Sequence, residues 1–420
     1  MLRALQAGES KGTALYALSS ALKAFVHMGC TVVVARLVLP EDLGVWKSVA
    51  LLNTYMSLLE LGVLKGLTRQ YALHQGAGDQ ELAVSRARAA GTHAAVRSIV
   101  NLLIVLVVLA SARSRGSNPK TLVALALFTL PAAADPLWSY YEVLYRSGRD
   151  FRVLGWIQVA ETGYLVVSLG FVLLGGWVGL FIRYAGIVPV GLALRHAGRP
   201  IPFRLSWDVT GLRDLVRVGL KVVVGAHVYS LLMVGDHTLI AGMLGPEALG
   251  HYSVATAAQA AMAVWPTCCN RVLYSHMAFR FGKTRQASAL ERLAFLPVLY
   301  NAVLLLVPTL ALCCAVGPVI SFVLPRYADG IPAARWMIVA GYFACLRSSA
   351  AVFTTLNRMR EYTVLLAGAL GLMYVLGWLG IRYLGTIESV AMAKAVTLAL
   401  LAAGVNLAAY RSLQRSAING

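Results

Sequence analysis

The sequence predicts an all-α, polytopic membrane protein with about twelve transmembrane helices in two six-helix bundles. Three observations lead there. The chain is 59% hydrophobic and only 13% charged, whereas about a quarter of an ordinary soluble domain is charged. Its apolar residues arrive in blocks of roughly 18–25, the length a helix needs to cross about 30 Å of hydrocarbon. One short phrase also occurs twice: "PEDLGVW" at residues 40–46 returns as "PEALGHY" at residues 246–252. Pro40, Glu41, Leu43 and Gly44 answer to Pro246, Glu247, Leu249 and Gly250, and Trp46 to Tyr252, at an offset of 206 residues. Gly29 with Gly235 and Ala35 with Ala241 keep the same offset.

Span one covers residues 14–36; mixed polar residues precede it and its apolar run exceeds signal-peptide length, so it is not a secretory leader. The first copy of the repeated phrase leads to span two, 43–65. Its proline and glycine suit a tight reversal, and the phrase reads as a turn rather than a substrate contact. Arg69, Arg86 and Arg88 separate span two from span three, 91–112. Arg113, Arg115 and Lys120 then lead to span four, 121–145. Arg146, Arg149 and Arg152 precede span five, 153–175, and a short hairpin at 175–177 gives span six, 177–196. Arg195, Arg199, Arg204 and Arg213 fall between the halves, before span seven, 217–241. The second copy of the phrase leads to span eight, 248–274, then Arg280, Lys283, Arg285 and Arg292 lead to span nine, 293–317. Span ten, 331–355, is followed by Arg358 and Arg360. Span eleven, 363–381, a short hairpin at 382–386, span twelve, 387–409, and then Arg411 and Arg415 complete the chain.

These cations fall in alternate loops, and the positive-inside rule puts both termini in the cytoplasm. The net charge of +19 therefore belongs beside a membrane and not on a nucleic-acid surface. Arg113, Arg115 and Lys120 are the main exception, on a loop that faces outward by parity, and Arg326 and Arg382 are isolated outer charges. Six crossings return the chain to its starting side. The lobes 1–205 and 206–420 should then repeat in parallel about a pseudo-two-fold axis along the membrane normal, with a substrate path between them.

The six cysteines (Cys30, Cys268, Cys269, Cys313, Cys314 and Cys345) all lie inside spans, with no ligand or disulfide spacing. They read as small apolar packing residues. His27, His227, His237 and His276 form no metal constellation by spacing, and neither a metal nor a cofactor is expected.

Ionisable residues inside spans are the functional candidates, because each costs roughly 2.5–3.5 kcal/mol at a helix centre unless it snorkels, pairs or faces water. Asp135 and Arg347 lie nearest mid-membrane, and Lys23, Arg97, Glu161, Arg183 and Lys394 are more than one turn inside a span. Lys221, Asp236 and Glu142 lie closer to an end, and snorkelling accounts for Lys221. For Lys23 and Arg347 the readings stay open between an anion-facing cavity and buried pairing or snorkelling. Span four is richer. In "DPLWSYYEVLYR", Tyr141, Glu142 and Tyr145 share a helical face with Trp138, and Arg146 follows Glu142 by one turn. The cluster suits a sugar path; an aromatic interfacial belt and a structural Glu142–Arg146 pair are the plainer alternatives. If transport is proton-coupled, Asp236 and Glu142 are the acids to test.

Three stretches, "VARLVLPEDLGVW", "LMVGDHTLIAGMLGPEALGHYSVA" and "PVISFVLPRYADGIPAARWMIVAGY", resemble the polysaccharide-transporter branch of the multidrug/oligosaccharidyl-lipid/polysaccharide exporter superfamily, which includes the Wzx-type flippases. The resemblance covers essentially the whole chain. It implies a bacterial inner-membrane protein with two bundles around a central cavity. Such a protein moves undecaprenyl-diphosphate-linked oligosaccharide (an O-antigen, capsule or exopolysaccharide unit) from the cytoplasmic to the periplasmic leaflet. It further implies the bilayer, a polysaccharide polymerase and chain-length proteins as partners. Asp236 matches the family's acidic position in span seven, with His237 where a basic residue is often found, and Glu60 matches an acidic position in span two.

A cation-coupled multidrug or metabolite antiporter of the same superfamily shares this plan; Lys23 in span one, where no carboxylate occurs, favours an anionic substrate instead. An integral-membrane glycan-transfer enzyme would need an outer acidic or metal site, and the clear outer acids are only Glu41, Asp42, Glu247 and Asp329. An assembly protein without transport activity fits poorly with buried charges in both halves.

Overall fold

A computed structural model of the chain describes residues 2–262, 291–356 and 358–418. Among these the regular structure is helical, with no strand. In chain order the helices are α1 (Leu2–Leu37), α2 (Pro40–Ser57), α3 (Val63–Gly76), α4 (Gln80–Ser114), α5 (Pro119–Ser147), α6 (Phe151–Val167), α7 (Leu169–Ala197) and α8 (Val209–Met243). They continue as α9 (246–262, to the edge of the described residues), α10 (Glu291–Val323), α11 (Ile331–Cys345), the short α12 (Ala351–Thr355), α13 (Met359–Leu384) and α14 (Ile387–Ile418). Much of the surface is apolar side chain, including Leu174 at 92% and Phe322 at 87% exposure, as a lipid-facing surface requires. The end of span eight, with Cys268, Cys269 and His276, and the loop with Arg280, Lys283 and Arg285 lie outside the described residues.

Eight of the described helices are by themselves long and apolar enough to cross a membrane, against about twelve spans expected. Span eight runs out of the described residues, and the other three differences have local causes. Span two is interrupted after α2 by a short 3-10 turn and two left-handed residues, Leu61 and Gly62. Span five breaks at Ser168, and span ten breaks between Cys345 and Ala351. Side chains satisfy the backbone that these breaks free, as a non-aqueous setting demands. The Glu60 carboxylate accepts from the amides of Gly62 and Leu64, capping α3. Arg183 donates to the Leu165 carbonyl and the Ser168 hydroxyl at the end of α6. Asn301 and Asn406 donate to the carbonyls of Cys345 and Leu346. Inside α5, Pro136 cannot bond the Ala132 carbonyl one turn back, and Asn101 of α4 donates to it instead, at 3.2 Å.

The expected hairpins are present: the chain leaves the helical region at Gly176, and Gly385 adopts a left-handed conformation between α13 and α14. Bonds from Tyr164 to Arg183 and from Arg195 to Glu161 nest about Gly176, so the segments on either side run antiparallel. The repeated phrase is different from expectation. Pro40 opens α2 after an extended Leu39, and Pro246 opens α9 after Gly245, whose φ is +89°. Gly44 and Gly250 are buried inside those helices and are not turn residues. Proline fits the first turn because the amide it lacks has no helical partner there; the rest of each phrase is packing, with Trp46 stacked on Phe181 and Tyr184.

By packing, the chain divides into two compact units, Met1–Val224 and Gly225–Gly420, with the division within α8. The beginning of α8 belongs to the first unit because a glycine pair binds it there: a Cβ on either Gly62 or Gly219 would fall on the other's backbone. The connector before α8 is tied down too. Ser206 exchanges hydrogen bonds with the Thr92 hydroxyl at 2.8 and 3.0 Å, and Phe203 packs on Tyr140 and Tyr141. Asp208 caps α8 through the Gly211 amide, and Arg86 bridges Asp208 and Asp214. Loops of equal parity thus meet. Lys120 likewise reaches Asp42 at 2.7 Å and Glu41 at 3.5 Å, which neutralises part of the exceptional outer charge.

Candidate functional site

In the first unit, four charged side chains from four helices form one chain of ion pairs. Lys23 of α1 donates to Glu161 of α6 at 2.6 Å, and Arg195 of α7 bonds both Glu161 and, at 2.7 Å, Glu142 of α5. The Arg195 guanidinium also lies 4.5 Å from the centre of the Trp138 ring, whose indole donates to Glu161. Gly191 permits this: a Cβ there would meet the Glu161 carboxylate and the Trp138 indole nitrogen. Two carboxylates and two cations balance. Exposure is lowest in the middle of the row, 28% for the Lys23 side chain, 7% for Glu161, 1% for Arg195 and 16% for Glu142. Lys23 and Glu161 also line a cavity of about 210 Å³ with His27, Tyr164, Leu165 and others. The arrangement can exchange Lys23 between Glu161 and an incoming anion without disturbing the buried middle of the network.

The second unit has a tighter cluster. Asp236 of α8 accepts from Lys394 of α14 at 2.7 Å and from Tyr252 of α9 at 2.8 Å, with His237 at 3.1 Å on its other oxygen. Asp236 is 0% and the Lys394 side chain 1% exposed, and Lys394 also donates to the Met233 carbonyl. Elsewhere in this unit, Arg347 sits at the break between α11 and the following 3-10 turn. It donates to the Tyr229 hydroxyl at 2.9 Å and lies 4.9 Å from that ring's centre. Its Nη1 is buried without a hydrogen-bond partner among the described residues, and no described carboxylate pairs with it.

Residues 33–326 match the model of a family described as polysaccharide biosynthesis protein. The chain belongs to this polysaccharide biosynthesis protein family. No curated protein matches the sequence. Solved structures similar to this family member include MATE family and other transporters of the MOP superfamily. An inward-facing multidrug-resistance MATE transporter matches with a TM-score of 0.78 at 15% identity, over 94% of this chain and 95% of that one. An outward-facing MATE structure gives 0.63 at 15% identity, over 98% and 96%. A MOP superfamily transporter from Pyrococcus furiosus, described as having a binding pocket of reverse polarity, gives 0.65 at 15% identity, over 97% and 95%. These likenesses show the fold.

In this family member the sequence-predicted face of span four is real, but most of it is spent inside the unit. Tyr141 and Tyr145 are 1% exposed; Tyr141 bonds His196 and Tyr145 bonds the Arg195 carbonyl. Glu142 pairs with Arg195 and not with Arg146, which is exposed and has no ion pair among the described residues. The reason is reach: Arg195 lies buried between Glu142 and Glu161, where two carboxylates would otherwise be stranded. Lys221 is exposed, without an ion pair among the described residues. Arg195 is the residue that sequence reasoning misplaced, counting it as a loop cation. Its signal was its position in the last turn of span six, 177–196, in a half whose spans also hold the carboxylates Glu142 and Glu161.

Proposed function

We propose that the chain is a flippase, translocating undecaprenyl-diphosphate-linked oligosaccharide from the cytoplasmic to the periplasmic leaflet of a bacterial inner membrane by alternating access. It works with both termini in the cytoplasm, through a path between lobes 1–205 and 206–420. The carrying observation is the polysaccharide biosynthesis family match over residues 33–326 on a transporter fold. Flipping makes and breaks no covalent bond, so the protein's task is to replace the hydration of diphosphate and sugar. Arg347 supports an anionic substrate: it has no described carboxylate partner, and residues 263–290 contain no Asp or Glu. Lys23, half-exposed beside a cavity, is its counterpart in the first unit. Trp138, Glu142 and Tyr145 then support the path from behind by holding Arg195, and Tyr141 does so by holding the neighbouring His196. A polymerase and chain-length proteins would receive the product.

The second reading is a cation-coupled multidrug or metabolite antiporter, favoured by the fold shared with the MATE structures. Asp236 is the acid it would use for coupling, although Lys394, Tyr252 and His237 already occupy both its oxygens. Cells lacking the protein separate the readings. A flippase leaves lipid-linked oligosaccharide stranded on the cytoplasmic face, whereas an antiporter leaves glycan export intact and raises drug sensitivity.

A further inference from the structure

The start of α8 carries a surface that transport does not explain. Arg213, Arg217 and Lys221 follow one another at four-residue intervals, so they form one row along the helix, and all three are exposed. None has an ion pair among the described residues. The nearby acids are not available to them, because Asp208 and Asp214 are both held by Arg86. The connector before α8 is held from one side, by Phe203 on the aromatic core and by the Ser206 backbone on Thr92, while Leu205 and Trp207 are 59% and 77% exposed. The strap is therefore pinned, and its apolar side chains are presented rather than loose.

Length gives the depth of the row. The residues from Lys221 to Met243 rise by about 33 Å at 1.5 Å each, enough to cross a hydrocarbon core of about 30 Å. Leu220, Val222 and Val224 are exposed apolar side chains at the inner end of that crossing. Lys221 then stands at the edge of the hydrocarbon, Arg217 about 6 Å further along the axis in the headgroup layer, and Arg213 about 12 Å along, at its outer side. An unpaired row of cations at this depth is complementary to acidic lipid headgroups, each such residue being worth about 1 kcal/mol near an anionic surface.

We propose that the face formed by Arg213, Arg217 and Lys221 binds the headgroups of anionic bilayer phospholipids. The proposal is independent of the cargo. To test it, Leu220→Cys carries an environment-sensitive fluorophore in a full-length chain with the native cysteines replaced, reconstituted in nanodiscs of mixed phosphatidylglycerol and phosphatidylcholine. Quenching is compared between the two lipids bearing a nitroxide near the headgroup at equal mole fraction. The labelled phosphatidylglycerol should quench at least about twofold more strongly. The excess should vanish in Arg213→Gln/Arg217→Gln/Lys221→Gln and shrink at high salt. The conservative Arg213→Lys/Arg217→Lys variant should keep it, and the salt series on the unmutated face decides the matter if the triple variant fails to fold. Equal quenching by both lipids, or an excess indifferent to salt, overturns the proposal.

Discussion

Asp236 and Lys394 are an ion pair with almost no access to solvent, and the cost of separating them is large. Either residue alone would be a buried, uncompensated charge, so Asp236→Asn or Lys394→Met should lower stability by about 3–5 kcal/mol. The double variant should be more stable than either single one, read as thermal unfolding in detergent; a double loss equal to the sum of the singles would contradict the pairing. The row in the first unit behaves differently because Lys23 is partly exposed whereas Arg195 is buried. Lys23→Gln leaves Glu161 bonded to Arg195, so the protein should remain folded and abundant while transport falls several-fold. Arg195→Gln strands Glu142 and leaves Glu161 with Lys23 as its one cation, and should lose abundance first, as measured by membrane yield and unfolding temperature.

Helices here are interrupted wherever a side chain from a neighbour can take over the backbone bond. Asn101 and Pro136 are the cleanest instance, since the proline creates the orphan that the asparagine serves. Asn101→Leu should cost about 1–3 kcal/mol, and clearly less in a Pro136→Ala background, where residue 136 supplies its own amide to Ala132. Equal costs in both backgrounds would mean that Asn101 acts through something else. The start of α8 gives a pH dependence. Bonding from the Gly211 amide, then from Thr210, holds the Asp208 carboxyl below the usual carboxylate range. A depressed folded pKa stabilises fully above the unfolded value near 3.9 and is lost as pH falls through the folded one. Hydrogen exchange at Gly211 should therefore stay slow, after correction for intrinsic rates, down to the unfolded value and accelerate only below it. Acceleration beginning near neutrality would contradict the cap.

Across the whole chain, the sequence showed what hydropathy and charge can show: helices, their approximate spans, the two short hairpins and the shared face of Trp138, Tyr141, Glu142 and Tyr145. It also marked Lys23, Glu161, Asp236 and Lys394 as costly where they stand. Their partners were not legible, because pairings such as Lys23–Glu161 join residues 138 apart in the chain and depend on how the helices pack. The breaks at Leu61–Gly62 and after Cys345 were hidden for a related reason: the residues that tolerate them, Glu60, Asn301 and Asn406, look like ordinary polar residues in apolar runs. Family membership and fold leave the cargo as the central claim. The direct measurement uses liposomes with the purified protein and fluorescent undecaprenyl-diphosphate-linked oligosaccharide, scoring the fraction reachable by an impermeant reagent over time. The account predicts fast exchange between leaflets with the unmodified chain, and a rate at least about tenfold lower with Lys23→Gln/Arg347→Gln, a loss of about 1.4 kcal/mol or more. Exchange no faster than in protein-free liposomes, from protein shown to be folded and able to export a cationic drug, would contradict it.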